Sequence, residues 1–131
     1  MYGAMKIRES SETYLKAILI VKKRLGNVRS IDVANELGVS KPSVSIAIKK
    51  LCNEGLVIVD CKHNLILTEE GLKYAVSIFE RHVTIENFLI DILDIEKETA
   101  HNDACRLEHL VSPETFNKIK KTCDEKIKTN N

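Results

Sequence analysis

The chain has 131 residues, of which 44% are hydrophobic and 30% charged, with a formal net charge of +1. It is long enough to bury a core in one compact domain, or in two small ones that share a helix. It has no run of about 18 apolar residues, which excludes a membrane-spanning helix, and no secretory pattern at its start, so we expect a cytoplasmic protein. Its four cysteines include no Cys-x-x-Cys pair, which excludes the disulfide framework of a small secreted domain.

The small net charge hides an asymmetry between the two parts of the chain. Residues 1–74 carry 12 basic against 8 acidic side chains, whereas residues 75–131 carry 8 against 11. The basic part favours a polyanionic partner and the acidic part favours cations. A solvated surface of mixed charge gives similar values, so the asymmetry alone does not choose between these interpretations.

The first predicted helix follows a short, partly disordered start over residues 1–9. Apolar residues recur at helical spacing from Ser10 onward, and the hydroxyl of Ser10 or Ser11 is suited to cap the helix. Three basic residues and then Gly26 mark its C-terminal end.

Two shorter helices are predicted next. One runs from Ser30, as its cap, to about Leu37, and the other from the cap Ser40 to about Asn53. Gly38 supplies the turn between them. Such a pair is typical of a helix-turn-helix, although an ordinary hairpin of two helices in a small bundle has the same signature.

A β-hairpin is predicted directly after these helices. Residues 56–60 are rich in β-branched side chains, residues 65–68 form a second strand, and a polar turn joins the two. A hairpin behind a helix-turn-helix is a winged helix. At the hairpin tip, Lys62 and His63 either meet a phosphate or the minor groove, or form a solvated turn.

Three further helices are predicted in the second half. The first, over residues 69–93 with Thr68 as its cap, has a wide apolar face that either packs in the core or pairs with a second copy of the chain. The second spans about residues 94–111. The last begins at Pro113, and its tail is expected to fray from Lys126.

The helix predicted over residues 94–111 is rich in metal donors. Cys105, Glu108 and His109 stand at i, i+3 and i+4, so a thiol, a carboxylate and an imidazole share one face of a helix. His101 lies one further turn back on the same side. These donors suit a divalent transition metal.

These features together resemble the diphtheria toxin repressor and manganese transport regulator family of metal-activated bacterial repressors. The resemblance rests on the segments 11–15 and 103–109 and on the upstream pair His82 and Glu86. It covers nearly the whole chain and is most specific in the segment 103–109. The chain ends where longer members continue into a third domain, so it resembles the two-domain form.

The resemblance implies a mainly α fold with a small β-wing. A winged helix-turn-helix DNA-binding domain would span residues 1–70, and a helical dimerisation and metal-binding domain would span residues 71–131. The implied function is repression by a homodimer that binds double-stranded operator DNA when activated by Fe2+ or Mn2+, with Zn2+, Co2+ or Ni2+ as substitutes in vitro. Cys105 favours iron among the activators. No membrane and no small-molecule substrate is implied.

The resemblance also implies two neighbouring metal sites, a primary one with a ligand from the first helix and an ancillary one. His82 and Glu86 stand at i, i+4, so both side chains can turn towards His101, although such a pair is also common on a helix surface. The implied ligands are Cys105, Glu108 and His109 in the primary site, and His82, Glu86 and His101 in the ancillary site.

The first helix departs from the family pattern. Thr13 occupies the position of a methionine or aspartate ligand, and Lys16 stands where some manganese-type members carry a glutamate ligand. A threonine hydroxyl is a poor metal ligand but can hold a bound water, and a lysine ammonium repels a cation. We therefore expect the primary site to be weaker, to use a water, or to depend on the ancillary site.

The helix predicted from Ser40 to about Asn53 is the second of the helix-turn-helix and would be its recognition helix. It would lie in the major groove with its N-terminal end near the bases. Its serines suit phosphates or bases, its proline suits a thymine methyl group, and its lysines suit phosphates. Ile46 falls where many family members carry a polar, base-reading side chain, so the operator is expected to differ from theirs. The predicted DNA contacts are Ser40, Lys41, Pro42, Ser43, Ser45, Lys49, Lys50 and Lys62.

Two other functions are alternatives to metal-activated repression. Thr13 and Lys16 are also compatible with a winged-helix regulator whose switch has become independent of metal. The segment 105–109 faintly resembles an inverted zincin motif, which would make the chain a small zinc hydrolase, but the sequence supplies neither a further base nor a substrate cleft. We therefore expect no enzymatic activity.

Overall fold

The computed structural model describes the backbone of residues 2–130 and the side chains of residues 11–127. This part of the chain divides into two compact units, Met1–Ser77 and Ile78–Asn131, and none of its helices is long and apolar enough to cross a bilayer. Its elements in chain order are α1 Tyr2–Leu25, α2 Ser30–Leu37, α3 Lys41–Asn53, β1 Val57–Val59, β2 Leu65–Leu67, α4 Glu69–Asp91, α5 Lys97–Leu110 and α6 Pro113–Asn130.

The helix-turn-helix of the first unit is formed by α2 and α3. Gly38 ends α2 in the left-handed conformation, with φ of +66°, and its N–H donates to the carbonyl of Ala34. The Ser40 side chain then caps α3 by accepting the Ser43 N–H at 3.3 Å. Ala34 of α2 and Val44 of α3 are both buried inside the first unit.

The core of the first unit joins α1 to the helix-turn-helix and to the wing. Helix α1 contacts α2, α3 and β2, and α3 contacts β1. Each large apolar side chain buried here contributes about 1.5–3 kcal/mol. The fully buried aliphatic side chains of this unit include Leu15, Ile18, Val21, Val33, Val44 and Leu51.

The wing is an antiparallel pair in which Val57, Ile58 and Val59 oppose Leu67, Ile66 and Leu65. Its tip is organised by Asp60, whose Oδ1 accepts the N–H groups of Lys62 at 2.9 Å and Asn64 at 2.8 Å. These hydrogen bonds, chiefly that from Asn64, hold the pKa of Asp60 below its usual range. The stabilisation is therefore present above the ordinary pKa of an aspartate and is lost as the pH falls through the lowered value.

The connection between wing and α4 requires a glycine. Thr68 caps α4 by accepting the Gly71 N–H at 3.0 Å, and its hydroxyl donates to the Gly55 carbonyl at 2.7 Å. The backbone of Leu56 lies so close to α4 that a Cβ at Gly71 would stand 2.0 Å from the Leu56 carbonyl oxygen. Only a residue without a side chain fits there.

The second unit packs α4, α5 and α6 around a small apolar cluster. Ile85 and Leu89 of α4 meet Ala100 and Ala104 of α5, and Phe116 of α6 packs against them. The alanines are fully buried. Their small side chains leave the neighbouring positions of α5 close to α4, and those positions carry the predicted metal donors.

The long apolar helix predicted over residues 69–93 is confirmed as α4, which ends at Asp91, and part of its apolar face packs in the core while another part is exposed. Ala75, Ile78, Ile85 and Leu89 are buried, whereas the exposed ones include Leu72, Val76 and Val83.

The first helix begins at Tyr2, so the prediction of a partly disordered start over residues 1–9 was wrong. Residues 4–9 consist mostly of good helix formers, so the helix extends backwards through them. Ser10 and Ser11 consequently lie inside α1 rather than at its start.

Ser30 is not the cap of α2. Arg29 holds that position with extended backbone angles, and the Asp32 carboxylate accepts the Arg29 N–H at 2.9 Å. An acidic side chain three positions after the cap residue thus satisfies the backbone N–H of the cap itself, as in a capping box.

Two further boundaries differ from prediction. Helix α5 begins at Lys97 instead of Asp94, because Asp94 has a φ of +57°, which an α-helix excludes. The final helix continues to Asn130 and does not end near Lys126. The ammonium group of Lys126 donates to the backbone carbonyl of Asp91 and so ties this part of α6 to the end of α4.

Candidate metal centre and nucleic-acid surface

The second unit brings the six metal donors predicted outside α1 onto two helices. Helix α4 supplies an imidazole and a carboxylate one turn apart, and α5 supplies the others over a little more than two turns. The six are His82 and Glu86 on α4, and His101, Cys105, Glu108 and His109 on α5.

Three of these donors converge. The ligand atoms of His82, His101 and Cys105 all lie within 4.8 Å of one another. The Cys105 Sγ is 3.9 Å from His82 Nδ1 and 3.8 Å from His101 Nε2, and the two imidazole rings meet edge to face with centroids 4.9 Å apart. One thiol and two imidazoles therefore lie close together, at one place between α4 and α5.

Glu86 contacts both imidazoles on their other nitrogens. Its Oε1 accepts the His101 Nδ1–H at 3.0 Å, and its Oε2 lies 3.5 Å from His82 Nε2. The nitrogens that approach Cys105 are His101 Nε2 and His82 Nδ1. One carboxylate thus faces the side of each ring opposite to the thiol.

Glu108 is a fully buried carboxylate, with none of its surface exposed. Its Oε2 lies 3.5 Å from His82 Nδ1 and its Oε1 lies 3.5 Å from His109 Nε2. Taking a carboxylate out of water costs several kcal/mol, which a nearby cation offsets. A thiol, imidazoles, one buried and one half-buried carboxylate in one small region fit a divalent transition metal, whose preferred ligands they are.

Several of these contacts join a residue of the predicted primary site to a residue of the predicted ancillary site. Cys105 lies against His82 and His101, and Glu108 lies between His82 and His109. Thr13 is half-buried on α1, in the first unit. Its role as a ligand stays a prediction.

Arg81 is a residue of this region that the sequence did not single out. Its guanidinium donates to the backbone carbonyl of Glu108 at 3.1 Å and stacks 5.3 Å from the ring centroid of Phe116. It therefore holds the C-terminal turn of α5 against α6, where a cation also complements the helix dipole. An arginine next to a histidine is too common a pattern to have indicated this.

Cys123 differs from Cys105 in its surroundings. Burial, followed by the charges of Asp124 and Asp91, raises the pKa of the Cys123 thiol, so this thiol stays protonated at neutral pH. The four cysteines form no disulfide. Of these two thiols in the second unit, Cys105 is therefore the one placed to act as a ligand.

The predicted DNA contacts lie on the outside of the first unit. Seven of the eight are exposed and Lys50 is half-buried. Ile46 projects from the same helix with 72% of its surface exposed, more than any other large apolar side chain in the described part of the chain. The exposed positions of this helix are Ser43, Ser45, Ile46 and Lys49, together with Lys41 and Pro42 at its start.

Both parts of the chain match known family models. The model described as the iron-dependent repressor N-terminal DNA-binding domain matches residues 6–65, and that described as the metal-binding and dimerisation domain matches residues 68–127. The transcriptional regulator MntR of Escherichia coli is 38% identical over 109 residues, which cover 83% of this chain and 70% of that protein. The winged-helix and metal-domain architecture predicted from sequence is thereby confirmed.

Solved structures show the same fold. The structure of the manganese regulator SloR matches with a TM-score of 0.78 and 33% identity over 87% of this chain. That of ScaR with bound Zn2+ matches with a TM-score of 0.75 and 33% identity over the same share. The chain spans 53% of the length of each of these two proteins.

Proposed function

The chain belongs to the family of iron-dependent, metal-activated repressors, and from that premise we propose that it represses transcription when a divalent metal binds its second unit. The observation that carries the proposal is the convergence of imidazole, thiol and carboxylate donors on α4 and α5, three of them within 4.8 Å of one another. Residues 1–70 would bind DNA, and residues 71–131 would bind metal and dimerise. As a regulator of operator DNA it would act in the cytoplasm and catalyse no reaction.

The proposed metal ligands come from the six donors on α4 and α5, with Thr13 of α1 as a further candidate. When bound, the ion supplies the positive charge that draws these donors together. SloR is described as a manganese regulator and ScaR binds Zn2+, which supports a divalent transition metal. The cysteine in the donor set favours Fe2+ over Mn2+ as the activator.

The proposed DNA surface is the exposed side of α3 with the tip of the wing. Arg29, the cap residue of α2, ties the helix-turn-helix to the wing tip, because its guanidinium donates to the Lys62 carbonyl at 3.0 Å. A homodimer would present two such surfaces to a pseudo-palindromic operator. The exposed apolar side chains of α4, including Leu72, Val76 and Val83, support association with a second copy.

The proposal is tested by measuring operator affinity as a function of metal. Operator DNA selected from a random pool is titrated with the purified chain, by fluorescence anisotropy, in Mn2+, Fe2+, Co2+, Zn2+ or a chelator. We expect at least about tenfold tighter binding with the activating metal than with chelator. Equal affinity in all conditions would identify a metal-independent regulator, and no affinity for any selected DNA would refute the DNA-binding role.

Ile46 is expected to set part of the operator sequence. An exposed aliphatic side chain on the recognition helix suits the C5-methyl group of thymine, whereas glutamine suits adenine. The Ile46→Gln variant should therefore select operators with a changed base at one position of each half-site, with a discrimination of about 1–3 kcal/mol. Selection from the random pool measures this change. Lys49→Gln, on the same helix, is the control, since loss of a phosphate contact weakens all sequences alike.

A further inference from the structure

The tip of the wing, residues 60–64, is held by hydrogen bonds from within the wing and from the start of α2. We propose that Arg29 and Asp60 are positioning residues for DNA binding, which fix this tip so that Lys62 meets a phosphate, and that neither of them contacts DNA itself. This inference rests on the proposed function for the DNA surface, but it does not depend on a metal.

Asp60 holds the tip from within. Its Oδ1 accepts the backbone N–H groups of Lys62 at 2.9 Å and Asn64 at 2.8 Å, and its Oδ2 accepts the side-chain amide of Asn64 at 3.2 Å. Its backbone carbonyl accepts the His63 N–H at 3.0 Å, and its own N–H donates to the Asn64 carbonyl at 3.0 Å. One residue thus closes the whole loop between the two strands.

Arg29 holds the same tip from outside the wing. Its guanidinium donates to the Lys62 carbonyl at 3.0 Å, and its own backbone is fixed because the Asp32 carboxylate accepts its N–H at 2.9 Å. Just before it, the carbonyl of Val28 accepts the N–H of Leu65 at 2.7 Å. The residue that carries the predicted phosphate contact is therefore tied, through its own carbonyl, to the start of the helix-turn-helix.

The backbone at His63 supports a functional reason for this order. His63 has a φ of +65°, in the left-handed region that is unfavourable for a residue with a side chain. Such residues persist where the surrounding structure restrains them, and they concentrate at functional sites. The hydrogen bonds made by Asp60 and Arg29 supply that restraint.

The charges near Arg29 favour a positioning role over a direct phosphate contact. The Asp32 carboxylate lies against the Arg29 backbone, and a carboxylate repels a phosphate. The Arg29 guanidinium already donates to the wing. Lys62 is exposed at the tip, so its ammonium group is accessible to a phosphate.

Asp60 provides a test in which the sign of the effect decides. Removal of a negative charge from a DNA-binding surface strengthens binding if charge alone matters. We expect Asp60→Ala instead to weaken operator binding about three- to tenfold, because the tip loses the acceptor of its backbone N–H groups. Asp60→Asn keeps an Oδ1 that can accept both N–H groups, so it should bind operator at least as tightly as the wild type.

Arg29 is tested through the salt dependence of operator affinity, measured by fluorescence anisotropy. The slope of log affinity against log salt concentration reports how many phosphates the protein neutralises. Lys62→Gln should reduce this slope by about one for each bound subunit. Arg29→Gln should reduce it equally, and the double variant should match Lys62→Gln alone, because Arg29 acts through Lys62.

Arg24→Gln is the matched control. It removes an arginine charge from the same unit, where Arg24 pairs with Glu36 at 2.9 Å, and it should leave the slope unchanged. Urea unfolding establishes that every variant is folded.

Amide hydrogen exchange of the free protein measures the order of the tip directly. The N–H groups of Lys62 and Asn64 should exchange faster in Arg29→Gln and in Asp60→Ala than in the wild type, because the bonds that hold the tip are lost. Exchange at the wild-type rate in both variants would overturn the inference.

Two operator results would also overturn it. Additive losses in the Arg29→Gln and Lys62→Gln double variant would show that Arg29 contacts a phosphate itself. Unchanged or tighter binding by Asp60→Ala would show that the order of the tip does not affect DNA binding.

These outcomes are distinguishable from failure of the proposed function. If the wild type binds operator equally well with metal and with chelator, metal activation fails, and the comparisons among the wing variants still decide the inference. If metal activates binding but Asp60→Ala binds as tightly as the wild type, the proposed function stands and the inference fails.

Discussion

The Glu108→Gln variant is expected to lose metal-activated operator binding while it keeps the basal affinity measured in chelator. Glu108 is fully buried, with imidazoles 3.5 Å from each carboxylate oxygen. Glutamine has the same shape but no charge, so it removes a buried negative charge that attracts a cation in a region of low dielectric. Metal affinity should fall about 10–100-fold. Isothermal titration with Co2+ and operator anisotropy measure the two effects.

The matched control is Glu98→Gln, which removes the same charge from the exposed first turn of the same helix. Its metal affinity and operator response should equal those of the wild type. Far-ultraviolet circular dichroism establishes that both variants are folded. If Glu108→Gln still responds to metal as the wild type does, the metal response does not depend on this carboxylate, and the proposed function loses its main support.

The Gly71→Ala variant is expected to be destabilised by about 2 kcal/mol or more, in spite of the higher helix propensity of alanine. On an unobstructed helix surface this substitution stabilises by about 1 kcal/mol. At Gly71 the added methyl group would stand 2.0 Å from the carbonyl oxygen of Leu56. Backbone cannot be displaced as cheaply as a side chain, so the wing must move away from α4. The free energy of unfolding in urea measures the effect.

A substitution elsewhere on α4 separates this clash from a general effect on the helix. Ser77→Ala lies on the same helix at an exposed position, and its stability should change by no more than about 0.5 kcal/mol. A stabilised Gly71→Ala variant would show that Leu56 does not approach α4 this closely in solution. Because the wing would shift, we also expect Gly71→Ala to weaken operator binding.

Much of the fold could be predicted because its signals are local. Gly38 with Ser40 predicted the turn and the start of α3, and Thr68 predicted the start of α4. Each is a cap or turn whose hydrogen bonds reach only a few residues along the chain. The errors at Ser30 and Asp94 arose where a neighbouring side chain or a left-handed residue decided the boundary instead.

The sequence by itself determined which donors the candidate site has, because i, i+3 and i+4 spacing puts Cys105, Glu108 and His109 on neighbouring positions of one helix whatever surrounds it. Only the tertiary structure decided how donors from two helices meet. The approach of α4 to α5 across Ala100 and Ala104 brings His82 to the Cys105 sulfur, a contact between residues 23 positions apart. Periodicity within one helix carries no information on the register between two helices, since packing of side chains sets that register.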